Sequence, residues 1–433
     1  MQDKGLVRGL GFFTLTALVA GNVIGSGVYA IPASLADAAG PLGLLAWPIV
    51  GLAYLALTAA YADLGQAYPV QGGLQVYAQR AFGERAGAIS SFLYWISGVT
   101  ANAAFATAFV GYAAVFFPSL REKVPAFLVA QALLWGLTFV NVLGVKASGR
   151  LGLVATTLKV VPLFVLAIAL VPMANPGNLA PFAPHGFGGL FPAISLVAWA
   201  FLGAESVGVP AEETKDAART IRLAAYAGYA LTIVVYLAVA VTMALAFPAS
   251  SLAGHTSPLA MAAERALGPW GGGFVALGAM VSTFGALNGW LLVVGRLPYA
   301  AARDGVAPHA FAAIHPRFGT PARALVISTL IPSSLLVFYF VETFLGVYNL
   351  VALLSNATGL VSIALACAAL PTLVRREGDR FTPAARARAG ALAVAGVAVS
   401  VLLVAGSGWR VLLATAFMVF LAAAVHAVVR ARA

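Results

Sequence analysis

Gly21-Asn22-Val23-Ile24-Gly25-Ser26-Gly27 lies inside the apolar run from Gly11 to Ala38. Three glycines and a serine at that depth continue a helix poorly, because glycine loses the most backbone entropy on ordering and offers no side chain to pack. The stretch predicts a broken helix. In lipid a break is tolerated only where the freed N–H and C=O groups face protein or a water-filled cavity. The amides opening the second half-helix would then form a positive-ended cradle for an anion such as a carboxylate. The same residues also allow a second use, a small-xxx-small contact through Gly21 and Gly25 for close helix packing.

Composition places this stretch in a bilayer. Of 433 residues, 61% are hydrophobic and 9% charged, and the mean hydropathy is +0.95, whereas a soluble domain carries about a quarter charged residues. The chain reads as an all-α polytopic membrane protein. Runs long enough to cross roughly 30 Å of hydrocarbon fall at Gly11–Ala38, Pro41–Ala62, Ala88–Phe117, Val124–Val145, Leu151–Val171, Phe187–Val209, Leu223–Phe247, Gly271–Leu297, Ala324–Phe340, Val347–Leu370, Ala389–Ala405 and Val411–Val429, about twelve spans. The first is too long for a signal-peptide core and is read as a retained span. Cys367 is the only cysteine, which excludes an intrachain disulfide and a cysteine-based metal cluster.

The net charge of +11 follows from topology. With the N-terminus inside, 20 of the 25 lysines and arginines fall in cytoplasmic segments, among them Lys4, Arg8, Arg80, Arg303, Arg376, Arg388 and Arg430. Arg121, Lys123, Arg265 and Arg410 fall outside, and Lys159 falls within a span. Short cytoplasmic loops are enriched in basic residues, so both termini are expected in the cytoplasm and no nucleic-acid partner is implied.

Two ionisable residues are expected inside the membrane, Lys159 in span 5 and Glu205 in span 6. Each is costly enough there to suggest function, with mutual pairing as the structural alternative. Span 6 shows its own weak point, Phe201-Leu202-Gly203-Ala204-Glu205-Ser206. Interruptions at matching places in two five-helix halves point to a midplane site built by discontinuous helices. That favours the broken-helix reading of span 1 over the packing one.

These two stretches, with Glu212-Glu213-Thr214-Lys215 and the loop Ala302-Arg303-Asp304-Gly305-Val306-Ala307-Pro308, resemble the amino acid–polyamine–organocation (APC) permeases. Within them the likeness is to the basic amino acid and polyamine antiporters of the arginine/agmatine type, from about Gly9 through span 12. The resemblance implies alternating access in a five-plus-five inverted repeat. Residues 1–10 form a cytoplasmic N-terminus, 11–171 the first repeat, 187–370 the second, and 389–433 two further spans with a short cytoplasmic C-terminus. It implies a multi-pass protein of the cell membrane that carries amino acids or polyamines without sodium and without a cofactor or metal. Protons and a second copy of the chain are further partners that such a permease admits.

By that resemblance the substrate carboxylate sits on Ser26 and Gly27, and its ammonium on the carbonyls of Val23, Trp199 and Leu202. Ser97, Gly98, Asn102 and Ser355 line the side-chain pocket, where Asn102 and Ser355 bond the far end of the substrate. Trp199 covers its aliphatic part, and a guanidinium stacks on Trp290. Tyr94 matches a gate residue and Glu205 the carboxylate that senses protons. Two positions depart from the exchanger pattern. Lys159 stands where the exchangers are apolar, although other permeases of the superfamily carry a lysine there in place of a sodium ion, with Ser282 or Thr283 as expected partners. An apolar residue near Ile363 replaces a gating tyrosine of span 10. The departures support an alternative, a proton-coupled permease for neutral or broad-range amino acids.

A hydrolase built on Ser26 would need a base such as histidine within reach. His185, His255, His309 and His315 read as loop residues, and His426 lies near the far end of span 12. An enzyme is not expected. A channel would need a carbonyl filter or a ring of charge, and neither pattern is present in the sequence.

Overall fold

A computed structural model of the chain describes residues 11–69, 73–143, 146–208 and 214–432. Residues 1–10, with Lys4 and Arg8, and the Glu212-Glu213 pair lie outside the described residues. Both predicted breaks are present. Span 1 is two helices, Phe12–Val23 and Gly27–Ala39, and span 6 is Leu190–Phe201 followed by the 3-10 turn Ala204–Gly208. The uninterrupted spans are span 2 (Ala46–Ala67), span 3 (Glu84–Ala113), span 4 (Lys123–Leu143), span 5 (Lys146–Leu170), span 7 (Ala217–Ala246), span 8 (Pro269–Arg303), span 10 (Phe344–Arg376), span 11 (Pro383–Ala405) and span 12 (Trp409–Arg432). Span 9 is Ala322–Leu335 tightened into a last turn at Leu336–Phe340.

Several helices outrun their apolar runs. Span 8 continues to Arg303 and span 10 to Arg376, because backbone hydrogen bonding does not stop at the hydrocarbon edge and basic residues in a last turn suit the negative end of the helix dipole. Two short helices, Leu74–Phe82 and Pro258–Leu267, were not expected. Each buries one face only, so neither produces an apolar run of spanning length.

The layers follow from lipid exposure. In span 3, 94% of the apolar window is buried within the protein, against 28% in span 11 and 22% in span 12. Span 3 is therefore the central post, packed against spans 8 and 10, and the last two spans face lipid.

A third charged side chain, besides Lys159 and Glu205, is buried in a span helix. Span 2 runs on past Ala62, so Asp63 is fully buried within it. Arg388 lies inside span 11 rather than in the loop before it. Its Nε and a terminal nitrogen clasp the two Asp63 oxygens at 2.9 and 2.7 Å, and the same terminal nitrogen reaches the Tyr226 hydroxyl at 3.2 Å. A buried carboxylate needs such a bidentate partner. At this face Arg80 and Arg380 also flank the Tyr68 ring, 5.0 and 5.4 Å from its centroid, and Glu377 pairs with both arginines.

Candidate functional site

The break in span 1 is a loss of the helical ladder over three residues. Ile24 N–H still reaches Ala20 O at 2.8 Å, but Gly25 N–H turns back to Val23 O at 2.8 Å. The helix restarts on the Ser26 carbonyl, which accepts from the N–H groups of Tyr29 and Ala30 at 3.1 Å each. The first amides of the new half-helix thus have no partner within it. In span 6, Leu202 is extended and Gly203 has φ +123°. A Cβ there would stand 2.8 Å from Asn22 O, so glycine is required by both conformation and the close approach of the two breaks. Close packing also occurs at the break, though not through the Gly21 and Gly25 pair that the packing reading named: a Cβ on Gly27 would lie 2.6 Å from Ala200 Cβ.

The carbonyls at the end of the first half-helix are occupied. Lys159 Nζ donates to Gly21 O and, at 2.7 Å, to Ile24 O. Ser282 Oγ lies 3.2 Å from both Ile24 O and Gly25 O, so it meets the lysine at a shared carbonyl, while Thr283 bonds within its own helix to Ala279. Lys159 and Glu205 do not pair. Glu205 accepts from Gly203 N–H at 2.9 Å and from the Tyr94 hydroxyl at 3.1 Å, which ties span 3 to the break of span 6. Tyr236 bridges the two breaks, donating to Val23 O at 2.8 Å and Ala200 O at 2.9 Å. A further link runs from Asn22 Nδ2 to Ser206 Oγ at 2.8 Å.

Between the breaks lies a narrow cavity, with room of about 10 Å³ at water size. Seven of the residues expected at the site line it: Val23, Ser26, Gly27, Trp199, Leu202, Trp290 and Ser355. Ser97 stands behind Ser355, whose hydroxyl donates to Ser97 O at 2.7 Å. Gly98 lies under the Trp290 ring, with room for no side chain. Tyr94 packs edge-on to Trp290, with centroids 6.0 Å apart. Asn102 does not line the cavity; its amide is fully buried and neither its oxygen nor its nitrogen has a hydrogen-bond partner. The Val23 and Trp199 carbonyls are engaged as well, by Tyr236 and by Leu202 N–H.

Sequence reasoning missed three features. Phe105 tilts against Trp199 with centroids 5.7 Å apart and lines the cavity. Tyr236 carries no sign in the sequence of its role across two breaks. Tyr348 of span 10 carries no sign in the sequence of its place at the site, while Ile363 is buried and apolar; the Tyr348 hydroxyl accepts from Trp199 Nε1 at 3.0 Å and lies 3.2 Å from Ser26 Oγ.

Two interrupted helices meeting at an aromatic-lined cavity inside a bundle of membrane spans define a secondary transporter with a midplane site. The chain belongs to the amino acid permease family, whose model matches residues 10–430, and it is a transporter rather than an enzyme. It is 31% identical over 338 residues to a cadaverine/lysine antiporter of Escherichia coli (strain K12), covering 76% of this chain and 74% of that one. It is 29% identical over 336 residues to a branched-chain amino acid permease of Bacillus subtilis (strain 168), covering 74% and 72%. To an arginine/ornithine antiporter of Latilactobacillus sakei it is 29% identical over 346 residues, covering 76% and 72%.

Proposed function

We propose that the chain is a sodium-independent exchanger of cationic amino acids, or of such amino acids for their amines, in the cell membrane with both termini cytoplasmic. The observation that carries this reading is the meeting, at one cavity, of the amide end of the second half of span 1 with the faces of Trp199 and Trp290. The amides suit a carboxylate, and a desolvated aromatic face attracts a guanidinium or ammonium by about 2 kcal/mol. Lys159 holds a fixed ammonium on the carbonyls where a sodium ion would otherwise sit, which supports independence from sodium. Arginine/ornithine and cadaverine/lysine exchange in the relatives' names agrees with the cationic class.

Alternating access would rock spans 1, 2, 6 and 7 against the remainder, with residues 11–171 and 187–370 as inverted repeats. Glu205 is the group through which a proton would couple, and the lipid-facing spans 11 and 12 are the surface open to a second copy. A proton-coupled permease for neutral or broad-range substrates is the second reading, favoured by the uncharged lining Ala101, Phe105 and Leu202 and by the branched-chain relative. Counterflow in proteoliposomes decides between them. Labelled arginine, lysine or ornithine should enter only against internal cationic substrate or amine, without a pH gradient. Uptake of leucine driven by a pH gradient, with no counterflow of cationic substrates, overturns the first reading in favour of the second.

A further inference from the structure

Tyr348 is a fully buried phenol at the junction of spans 1, 6 and 10. The Trp199 indole nitrogen can only donate, so in its 3.0 Å contact the phenol oxygen is the acceptor. The hydrogen of Tyr348 is therefore left to give, and the acceptor within reach is Ser26 Oγ at 3.2 Å. Ser26 is the residue before the first turn of the second half-helix, where the free amides point. A carboxylate placed on those amides is a much better acceptor for the phenol than a serine hydroxyl, because a hydrogen bond to an ionised oxygen is about twice as strong as a neutral one.

We propose that Tyr348 is the residue by which the site distinguishes substrates that carry a carboxylate from the corresponding decarboxylated amines. Its hydroxyl turns from Ser26 to the carboxylate when an amino acid binds and stays on Ser26 when an amine binds. This rests on the reading of Ser26 and Gly27 as the carboxylate cradle. For an exchanger that carries an amino acid one way and its amine the other, the ratio of the two affinities is the quantity Tyr348 sets.

The test measures the dissociation constants of the purified full-length protein for lysine against cadaverine and arginine against agmatine, by calorimetry. In Tyr348→Phe the amine-to-amino-acid ratio of Kd should fall about tenfold, the loss of one hydrogen bond to a charged group. Tyr348→Gln keeps a donor and should hold the ratio within about threefold of the parent. A ratio unchanged in Tyr348→Phe overturns the proposal, whether both ligands weaken together or neither does. If that variant does not fold, the same comparison is read between Tyr348→Leu and Tyr348→Gln. If the parent protein binds none of the four cationic ligands, the cationic reading fails. The ratio is then read on leucine and 3-methylbutylamine, so that Tyr348 stands or falls separately.

Discussion

At the scale of single residues, the site depends on side chains that satisfy backbone groups freed by the breaks. Lys159→Ala removes the donor to the Gly21 and Ile24 carbonyls. The Ile24 carbonyl keeps Ser282, but the Gly21 carbonyl loses its lysine, and a buried acceptor left unpaired costs about 1–3 kcal/mol, so transport should be abolished and the thermal unfolding midpoint lowered. Counterflow at the parent rate would remove Lys159 from the mechanism. Tyr236→Phe deletes one hydroxyl that serves Val23 and Ala200, and should destabilise the fold by about 1–3 kcal/mol. Substrate binding should weaken in parallel, because the breaks lose their bridge; a calorimetric titration matching the parent would count against that coupling.

Whole helices are positioned by where glycine permits close approach. Gly203→Ala forces a side chain into a positive-φ position and against the Asn22 carbonyl 2.8 Å away. It should reduce transport by at least tenfold, since the spacing of the two breaks must widen. Gly136→Ala on span 4 meets nothing within 4 Å and should change stability by no more than about 1 kcal/mol. Similar losses in both variants would refute the argument from close approach. The hydrogen bonds also sort the elements. Tyr229 donates to Gly51 O, joining spans 7 and 2, as Tyr236 joins 7 to 1 and 6. Spans 4 and 9 are zipped separately by Thr138–Thr329 at 2.7 Å and Gln131–Ser333 at 2.8 Å, and span 9 is fastened to span 3 by Trp95–Ser328 at 2.8 Å. Tyr94–Glu205 links the two groups at the cavity, and Ser282–Ile24 ties span 8 to the break of span 1, bonds that rocking would have to break.

Across the whole molecule, Asp63 and Arg388 fasten span 2 to the lipid-facing span 11. The two partners are unequal: the Asp63 side chain is 0% exposed and that of Arg388 34%. Removing the arginine strands a buried carboxylate, whereas removing the aspartate leaves a guanidinium that can still reach water along its aliphatic stem. Arg388→Ala should therefore cost more stability than Asp63→Ala, by about 1–2 kcal/mol in a denaturation series. The reverse order would show that water reaches Asp63 when its partner is gone.

The sequence by itself determined the membrane class and the positions of both breaks, because glycine content, apolar run length and rare intramembrane charge are local signals; the residues expected around the cavity came from the family resemblance. Gly25-Ser26-Gly27 and Leu202-Gly203 cannot continue a buried helix economically, whatever surrounds them. Tertiary structure alone decided which side chain meets which freed backbone group. Tyr236, Tyr348 and Phe105 look in the sequence like any other aromatic residue in an apolar span, and Asp63 and Arg388 like the charged ends of two helices. Their roles come from contacts between residues far apart in the chain, 36 positions for Tyr236 with Ala200 and 325 for Arg388 with Asp63, and no periodicity within a single helix encodes such distances.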